Sequence, residues 1–281
     1  MNPLVSVVVL SYNKRAYTKK CLESLASSTW RPMEIIVVDQ GSTDGSREMI
    51  EQMKQTLAEQ GIELRTIYNE RNVGAPTGRN QAMDIARGEY LAFVDNDVVV
   101  KDRDWLEKLI ACLEEDPRRA VVSPKLLFPP PMDIIEFAGC AVSPSGRVQY
   151  MGRGQPADDP RFNEPKEVQC LISACIVVPR RVIDDVGKMD EAYNPVQYED
   201  LDWCYRMRSK GYVCYYLPTA EMYHYEHITT NGSEDINFKY VTIKNGLLFK
   251  RRWRHMFEKE GGPPDEETKW QHIERVRLEE Q

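Results

Sequence analysis

Two carboxylates interrupt an apolar run in "YLAFVDNDVVV" (Tyr90–Val100), where Asp95, Asn96 and Asp97 stand between "LAFV" and "VVV" with no basic residue beside them. An acidic pair after a strand can cap the next helix or make a turn. Here the flanking apolar residues put the pair at the rim of a core, where close carboxylates resist ionisation unless a cation neutralises them. Oxygen ligands of this kind suit Mg2+ or Mn2+, which use one or two carboxylates together with phosphate oxygens. A divalent ion held there could bridge a diphosphate. Asp39 closes another apolar run, "MEIIVVDQG", and a carboxylate at a strand end can accept hydrogen bonds from a base or a ribose. Arg79 and Asn80 stand near the start of a helical stretch, where backbone N–H groups and a guanidinium suit anions. "YEDLDW" offers Glu199, Asp200 and Asp202 at another helix start. Carboxylates are favoured in ionised form there, and one could take the proton of an attacking hydroxyl. Capping alone would also explain them, and Asp202 is read that way.

The elements that must position these groups alternate. "LVSVVVLSY" (Leu4–Tyr12), "MEIIVVDQG", "ELRTIYNE", "EYLAFVDND" and "RAVVSPKLLF" read as buried strands. Between them, "AYTKKCLESLASS", a stretch with Ser42 or Asp44 as N-cap ending at Gly61, "GAPTGRNQAMDIARG" stopping at Gly88, and "DRDWLEKLIACLEED" read as helices. Such alternation over about the first 130 residues predicts a mainly parallel sheet wrapped by helices, with ligands bound outside the carboxyl ends of the strands. Asp39, Asp95 and the Ser11-Tyr12-Asn13 turn all fall at those ends. From Phe137 to Glu167 the pattern weakens into a loop-rich excursion with a hairpin expected around "VSPSGRVQY". A strand and helix return in "VQCLISACIVVPRRVIDDVG", then a loop and helix ending at Gly211, then a strand and loop in "YVCYYLPTAEMYHYEH". "KYVTIKNGLLFKRRWRHMF" reads as a basic amphipathic helix. Beyond it, Gly261–Pro264 reads as a linker, and Trp270, Ile273 and Val276 form a short apolar stripe.

With 281 residues, 42% hydrophobic, the chain can bury one large core or one domain with an extension. Its net charge of -7 argues against a dedicated nucleic-acid binder. No apolar run approaches the roughly 20 residues that span a bilayer, and the N-terminal apolar stretch reads as a first strand, not a signal peptide. Seven scattered cysteines with no CxxC pair fit a reducing cytosol and neither a disulfide framework nor a zinc knuckle. The absence of GxGxxG after the first strand and of GxxxxGK[ST] weighs against a dinucleotide dehydrogenase and a P-loop ATPase.

In order and spacing, "VSVVVLSYNKR", "IIVVDQGSTDGS", "NVGAPTGRNQAMDIARGEYLAFVDND", "ISACIVVPRRVIDDVGKMDEAY", "YEDLDWCYRMRSKGY" and "PTAEMYHYEH" resemble the family 2 glycosyltransferases, most of all their soluble rhamnosyltransferase-like branch. The likeness covers about residues 4 to 255. It implies a GT-A fold, a single Rossmann-like α/β domain over residues 1–257. Residues 1–130 would bind the nucleotide sugar, residues 131–257 would bind the acceptor and carry catalysis, and 258–281 would be a charged extension. Carried over, Ser11, Tyr12, Asn13 and Asp39 would surround base and ribose, Arg79, Asp95 and Asn96 would complete that pocket, and Asp97 would ligate the metal with Asp95 alongside. His224, in "AEMYHYEH", would ligate the metal or contact the diphosphate, with His227 as the alternative. The Glu-Asp pattern makes Asp200 the base, with Glu199 orienting it or holding the acceptor. The resemblance further implies an inverting transfer, dependent on Mn2+ or Mg2+, from a nucleotide-diphosphate sugar to a carbohydrate, lipid-linked or other hydroxyl acceptor. Cell-surface polysaccharide or glycoconjugate synthesis would be its setting.

The sequence also departs from that family. Phe249 in "FKRRW" stands where processive members carry glutamine, so transfer of one sugar is expected. Ser173 replaces a common glycine near the donor sugar, and Gln40 stands where a smaller polar residue is frequent; donor and base remain open. Trp203 is more simply core than a sugar platform. The basic stretch Lys244–His255 has two readings: a solvated helix face that packs its Leu and Phe, or a peripheral contact, at the inner face of the membrane, with anionic lipid or a polyprenyl-diphosphate acceptor. The competing functions are a sugar nucleotidyltransferase of related fold, whose Gly-rich opening loop "SYNKRAYTKK" lacks, and a non-catalytic sugar-binding protein.

Overall fold

The structure is a computed structural model that describes residues 2–226, 236–274 and 276–278. The first half follows the predicted alternation: β1 (Val5–Ser11), α1 (Arg15–Ala26), β2 (Met33–Asp39), α2 (Ser46–Ala58), β3 (Ile62–Tyr68), α3 (Ala75–Ile85), β4 (Tyr90–Asp95), β5 (Val98–Val100), α4 (Trp105–Glu115) and β6 (Arg119–Leu127). Short strands β7 (Ile135–Phe137), β8 (Cys140–Val142), β9 (Val148–Tyr150) and β10 (Lys166–Val168) fill the excursion. They lead to β11 (Cys175–Pro179), α5 (Arg180–Val186), α6 (Glu199–Ser209), β12 (Val213–His224) and α7 (Phe238–Phe257). The hairpin expected around "VSPSGRVQY" is the β8–β9 pair, with Cys140 opposite Tyr150 and Val142 opposite Val148.

The main sheet runs β10-β12-β6-β11-β4-β1-β2-β3, with β5 added to β12 and β7 to β6. Its first half, β3-β2-β1-β4, is parallel throughout. The other half is mixed: β11 runs antiparallel to β4 and β6, while β12 is parallel to β6. This mixture reflects the connections. A helical crossover returns the chain parallel, whereas the irregular excursion after β6 lets it come back in either sense. Every residue of β2, and all of β1 but Leu10, is buried, as expected for strands covered on both faces. α3 ends at Ile85, three residues before Gly88. Gly88 is needed instead for a close approach, since a Cβ there would lie 2.5 Å from the Ser6 nitrogen.

Register aligns the strand ends. Ser11 pairs with Asp39, and Leu10 pairs with Asp95, so the three polar strand ends reach one level at the carboxyl edge. All seven cysteines are buried free thiols. Trp203 is core, edge-on to Phe93 with its indole N–H donated to the Gly187 carbonyl at 2.8 Å. Among the described residues no helix is long and apolar enough to cross a membrane.

Candidate active site

The acidic turn is held from three sides. The Asp95 N–H donates to the Ala174 carbonyl at 2.9 Å, the Tyr225 N–H donates to the Asp97 carbonyl at 3.0 Å, and the Asn96 amide donates to the Thr18 hydroxyl at 2.9 Å. β5 follows the turn and pairs with β12 so that Val98 faces His224. That register carries His224, more than a hundred residues away in sequence, to Asp97: Nε2 lies 3.3 Å from Oδ1. Asp95, Asp97 and His224 each turn one ligand atom toward a common point, all within 4.8 Å of one another. Burial and the neighbouring Asp97 push the Asp95 carboxyl up, against the pull of Arg79. Two carboxylates that oppose each other's ionisation beside an imidazole are a donor set that a divalent cation relieves, so these residues fit Mn2+ or Mg2+.

Arg79 ties this corner to the next. It is buried, and its guanidinium donates to Asp95 Oδ1 at 2.8 Å and to Glu199 Oε1 at 3.0 Å. Burial and the adjacent Asp200 raise Glu199 to about 8, with Arg79 opposing; its Oε2 has no hydrogen-bond partner among the described residues. Asp200 is half-buried. It accepts the Ser173 N–H at 3.0 Å and the Leu201 N–H at 2.8 Å, and burial raises its carboxyl above the usual range despite those bonds. Ser173, the residue that departs from the family pattern, thus cradles the expected base. Asp202 does not cap α6 as expected. It is fully buried one turn in, where it accepts from Tyr193, Arg206, Arg252 and Trp253 at 2.9–3.1 Å and joins α6 to α7.

These groups open on one cavity of about 670 Å3, lined by Tyr12, Gln40, Arg79, Asp95, Asn96, Asp97, Ser173, Glu199, Asp200 and His224 among others. That volume suits a small ligand. Ser11, Asn13 and Asp39 are not in its lining. Ser11 is buried with its hydroxyl 3.3 Å from that of Thr18, and so backs the Thr18–Asn96 bond. Asn13, at positive φ, accepts the Thr43 N–H on its side-chain oxygen and donates its own N–H to the Ser42 hydroxyl, which clips the β1 turn to the β2 turn. Asp39 Oδ2 accepts from Gly41, Ser42 and Arg47, with Gly41 at positive φ bending the chain to allow it; Oδ1 is buried without a partner. His227 lies outside the described residues.

Sequence reasoning missed Glu136. It is fully buried, lines the cavity, and stands 3.3 Å from His224 Nδ1. Burial disfavours the imidazolium, yet Asp97 and Glu136 together hold His224 well above the usual imidazole range. Arg153, also buried, lies 3.5 Å from Glu136 and 2.8 Å from Glu226 and stacks 4.2 Å over Trp270. A charge inside the apolar run "DIIEFAG" is the signal that flagged Asp95, and it would have flagged Glu136 too. The stretch after α7 returns to this body: Asp265 accepts from Ser145, the Gln271 carbonyl accepts from Arg153, and Trp270 lines the cavity beside Tyr150.

This sheet and its flanking helices recur in a solved structure, GalNAc-T7 with UDP, GalNAc and Mn2+. The two match at TM-score 0.65 and 18% identity over 79% of this chain and 43% of that one, and the shared class is the GT-A fold. The sequence model described as Glycosyl transferase family 2 matches residues 6–187, and the chain belongs to that family. Among curated relatives, it is 28% identical to the uncharacterized protein y4gI of Sinorhizobium fredii over 90% of this chain and 28% of that protein. It is 34% identical to the glycosyltransferase GlyG of Streptococcus pneumoniae over 43% of this chain and 39% of that protein. The chain spans well under half the length of these relatives.

Proposed function

We propose that the chain transfers one hexose or deoxyhexose from a nucleotide-diphosphate sugar to an acceptor hydroxyl, with inversion and with a divalent cation. Assembly of a cell-surface polysaccharide or glycoconjugate at the cytoplasmic side of the membrane is its setting. The observation that carries this reading is the convergence of Asp95, Asp97 and His224 with Asp200 on one cavity at the sheet's carboxyl edge. Asp97, His224 and Asp95 would hold the cation, which when bound supplies positive charge against the diphosphate. Two carboxylates plus an imidazole favour Mn2+ over Mg2+, whose preference for oxygen is stricter. Tyr12 lines the end of the cavity nearest Asp39, with Ser11 and Asn13 bracing it from behind; Asp39, whose Oδ1 has no partner among the described residues, would take a hydrogen bond from base or ribose there.

Asp200 takes the proton of the acceptor hydroxyl as its oxygen bonds to the anomeric carbon. The bond from that carbon to the phosphate oxygen breaks, and its electron pair leaves with the nucleoside diphosphate. A carboxyl raised by burial is the better base for this step. Glu199, held by Arg79, orients the acceptor side. Val148, Tyr150, Phe238 and Thr242 line the same cavity, which supports an acceptor site built from residues 131–257 beside a donor site from residues 1–130. Family membership favours sugar transfer over nucleotidyl transfer and over a non-catalytic role. A panel of nucleotide sugars with Mn2+, read for released nucleoside diphosphate and for the anomeric configuration of the product, tests the proposal. Asp200→Asn should cut transfer by about 10²- to 10⁴-fold while leaving nucleotide binding in place; undiminished turnover in that variant would refute the assignment.

A further inference from the structure

We propose that the exposed face of α7 docks on an anionic lipid bilayer and presents the mouth of the cavity to that surface. α7 turns Val241, Asn245, Gly246, Phe249 and Phe257 toward the body. On the opposite side Tyr240, Ile243 and Leu247 are 64%, 56% and 64% exposed, three of the five large hydrophobic residues that stand exposed among those described. Spaced by three and four residues, they form one stripe. Lys239, Lys244, Arg251 and Arg254 are exposed on the same side of the helix. From Phe238 to Phe257 there are six lysines and arginines and no acidic residue, in a chain whose net charge is -7.

A face that served only as a solvated surface would mix both signs and keep its large apolar side chains inward. A second copy of this chain is a poor occupant, because a self-complementary contact would set these basic residues against each other. Apolar side chains flanked by basic ones match the boundary between acyl chains and anionic head groups, where each basic residue near the surface adds about fivefold to binding. The same helix reaches the cavity: Phe238 and Thr242 line it one turn from the exposed stripe. An acceptor hydroxyl carried on a lipid head group would therefore meet the cavity at the surface. That last step, unlike the docking itself, rests on the glycosyltransferase reading above.

Flotation of the full chain with vesicles of phosphatidylcholine, alone or mixed with phosphatidylglycerol, tests the docking. The chain should float with the mixed vesicles, should not float with phosphatidylcholine alone, and should be released by added salt. The triple variant Tyr240→Ser, Ile243→Ser, Leu247→Ser and the double variant Lys239→Glu, Arg251→Glu should each lower that partition by about tenfold or more. Both should keep the wild-type circular dichroism, melting temperature and response to Mn2+ with a nucleoside diphosphate. Loss of docking is thereby read apart from any failure of the sugar-transfer assignment. Wild-type protein that stays with neither vesicle, variants that float as well as wild type, or a wild-type dimer that the triple variant abolishes without any vesicle binding would each overturn the proposal.

Discussion

Asp200 and Glu199 are adjacent in the chain yet differ in surroundings, which fits the different roles proposed for them. Asp200 is half-buried, faces the cavity and takes two backbone N–H bonds; Glu199 is buried, shares Arg79 with Asp95 and is raised to about 8. A carboxyl raised on folding contributes stability that is fully present below its unfolded pKa, near the ordinary 4.5, and is lost as pH climbs through about 8. Wild-type protein should therefore lose more stability between about pH 5 and about pH 8 than Glu199→Gln does, as urea midpoints would report. Equal losses would mean that Glu199 titrates as it does in the unfolded chain. Glu136 is the second residue with a testable share. Its carboxylate beside Nδ1 leaves Nε2 of His224 turned to Asp97, an orienting arrangement whose removal weakens metal binding by about 10- to 100-fold in other sites. Glu136→Gln should lower Mn2+ affinity by a comparable factor in calorimetric titration, and unchanged affinity would remove Glu136 from the site.

At the scale of elements, α6 and α7 are joined through one buried carboxylate, Asp202, which accepts from the phenol of Tyr193, the guanidinium groups of Arg206 and Arg252, and the indole of Trp253. Asp202→Asn takes the carboxylate from Arg206, leaves Arg252 with Asp190 alone, and should cost about 2 kcal/mol, read as a lower denaturant midpoint. A variant of wild-type stability would show that packing alone seats α7. The same residue marks the limit of sequence reading. "YEDLDW" announces a helix start with three acids, but which acid caps, which faces a cavity and which anchors another helix depends on partners some 50 residues away. Local signals carried much further in the first half, where apolar runs alternate with helical stretches and strand ends predict Asp39 and Asp95 at one edge, although α2 starts after Gly45 and not on the expected Ser42 or Asp44 cap. Periodicity was too brief to place Glu136, in the three-residue β7, or Arg153, in the turn after β9; only the charge within "DIIEFAG" marks Glu136. Local signals were silent on the β5–β12 register that brings His224 to Asp97, a pairing formed across the chain. The exposure of Leu247 was equally hidden, since an amphipathic pattern does not say which apolar residues the body leaves uncovered.

At the scale of the whole molecule, two halves of the sheet meet along the edge of one cavity. The parallel half supplies the strand ends and their acids. The mixed half supplies Ser173, Asp200 and the cavity wall formed by the β8–β9 hairpin and α7. The stretch beyond α7 folds back across the hairpin, so Trp270 and Tyr150 share a wall with the acidic turn. The charge of the cavity is dominated by carboxylates, which makes a cation the natural first ligand and a diphosphate the natural second. This order is the central claim, and a thermal melt in the presence of Mn2+ and a nucleoside diphosphate tests it most directly. Ligands at about a hundredfold over their Kd should add about 2.7 kcal/mol of stability. Mn2+ alone should raise the melting temperature, the diphosphate should add to that shift only when Mn2+ is present, and both shifts should vanish in chelator and be lost in Asp97→Ala. A diphosphate that stabilises the chain fully in chelator, or in the Asp97→Ala variant, would contradict the account.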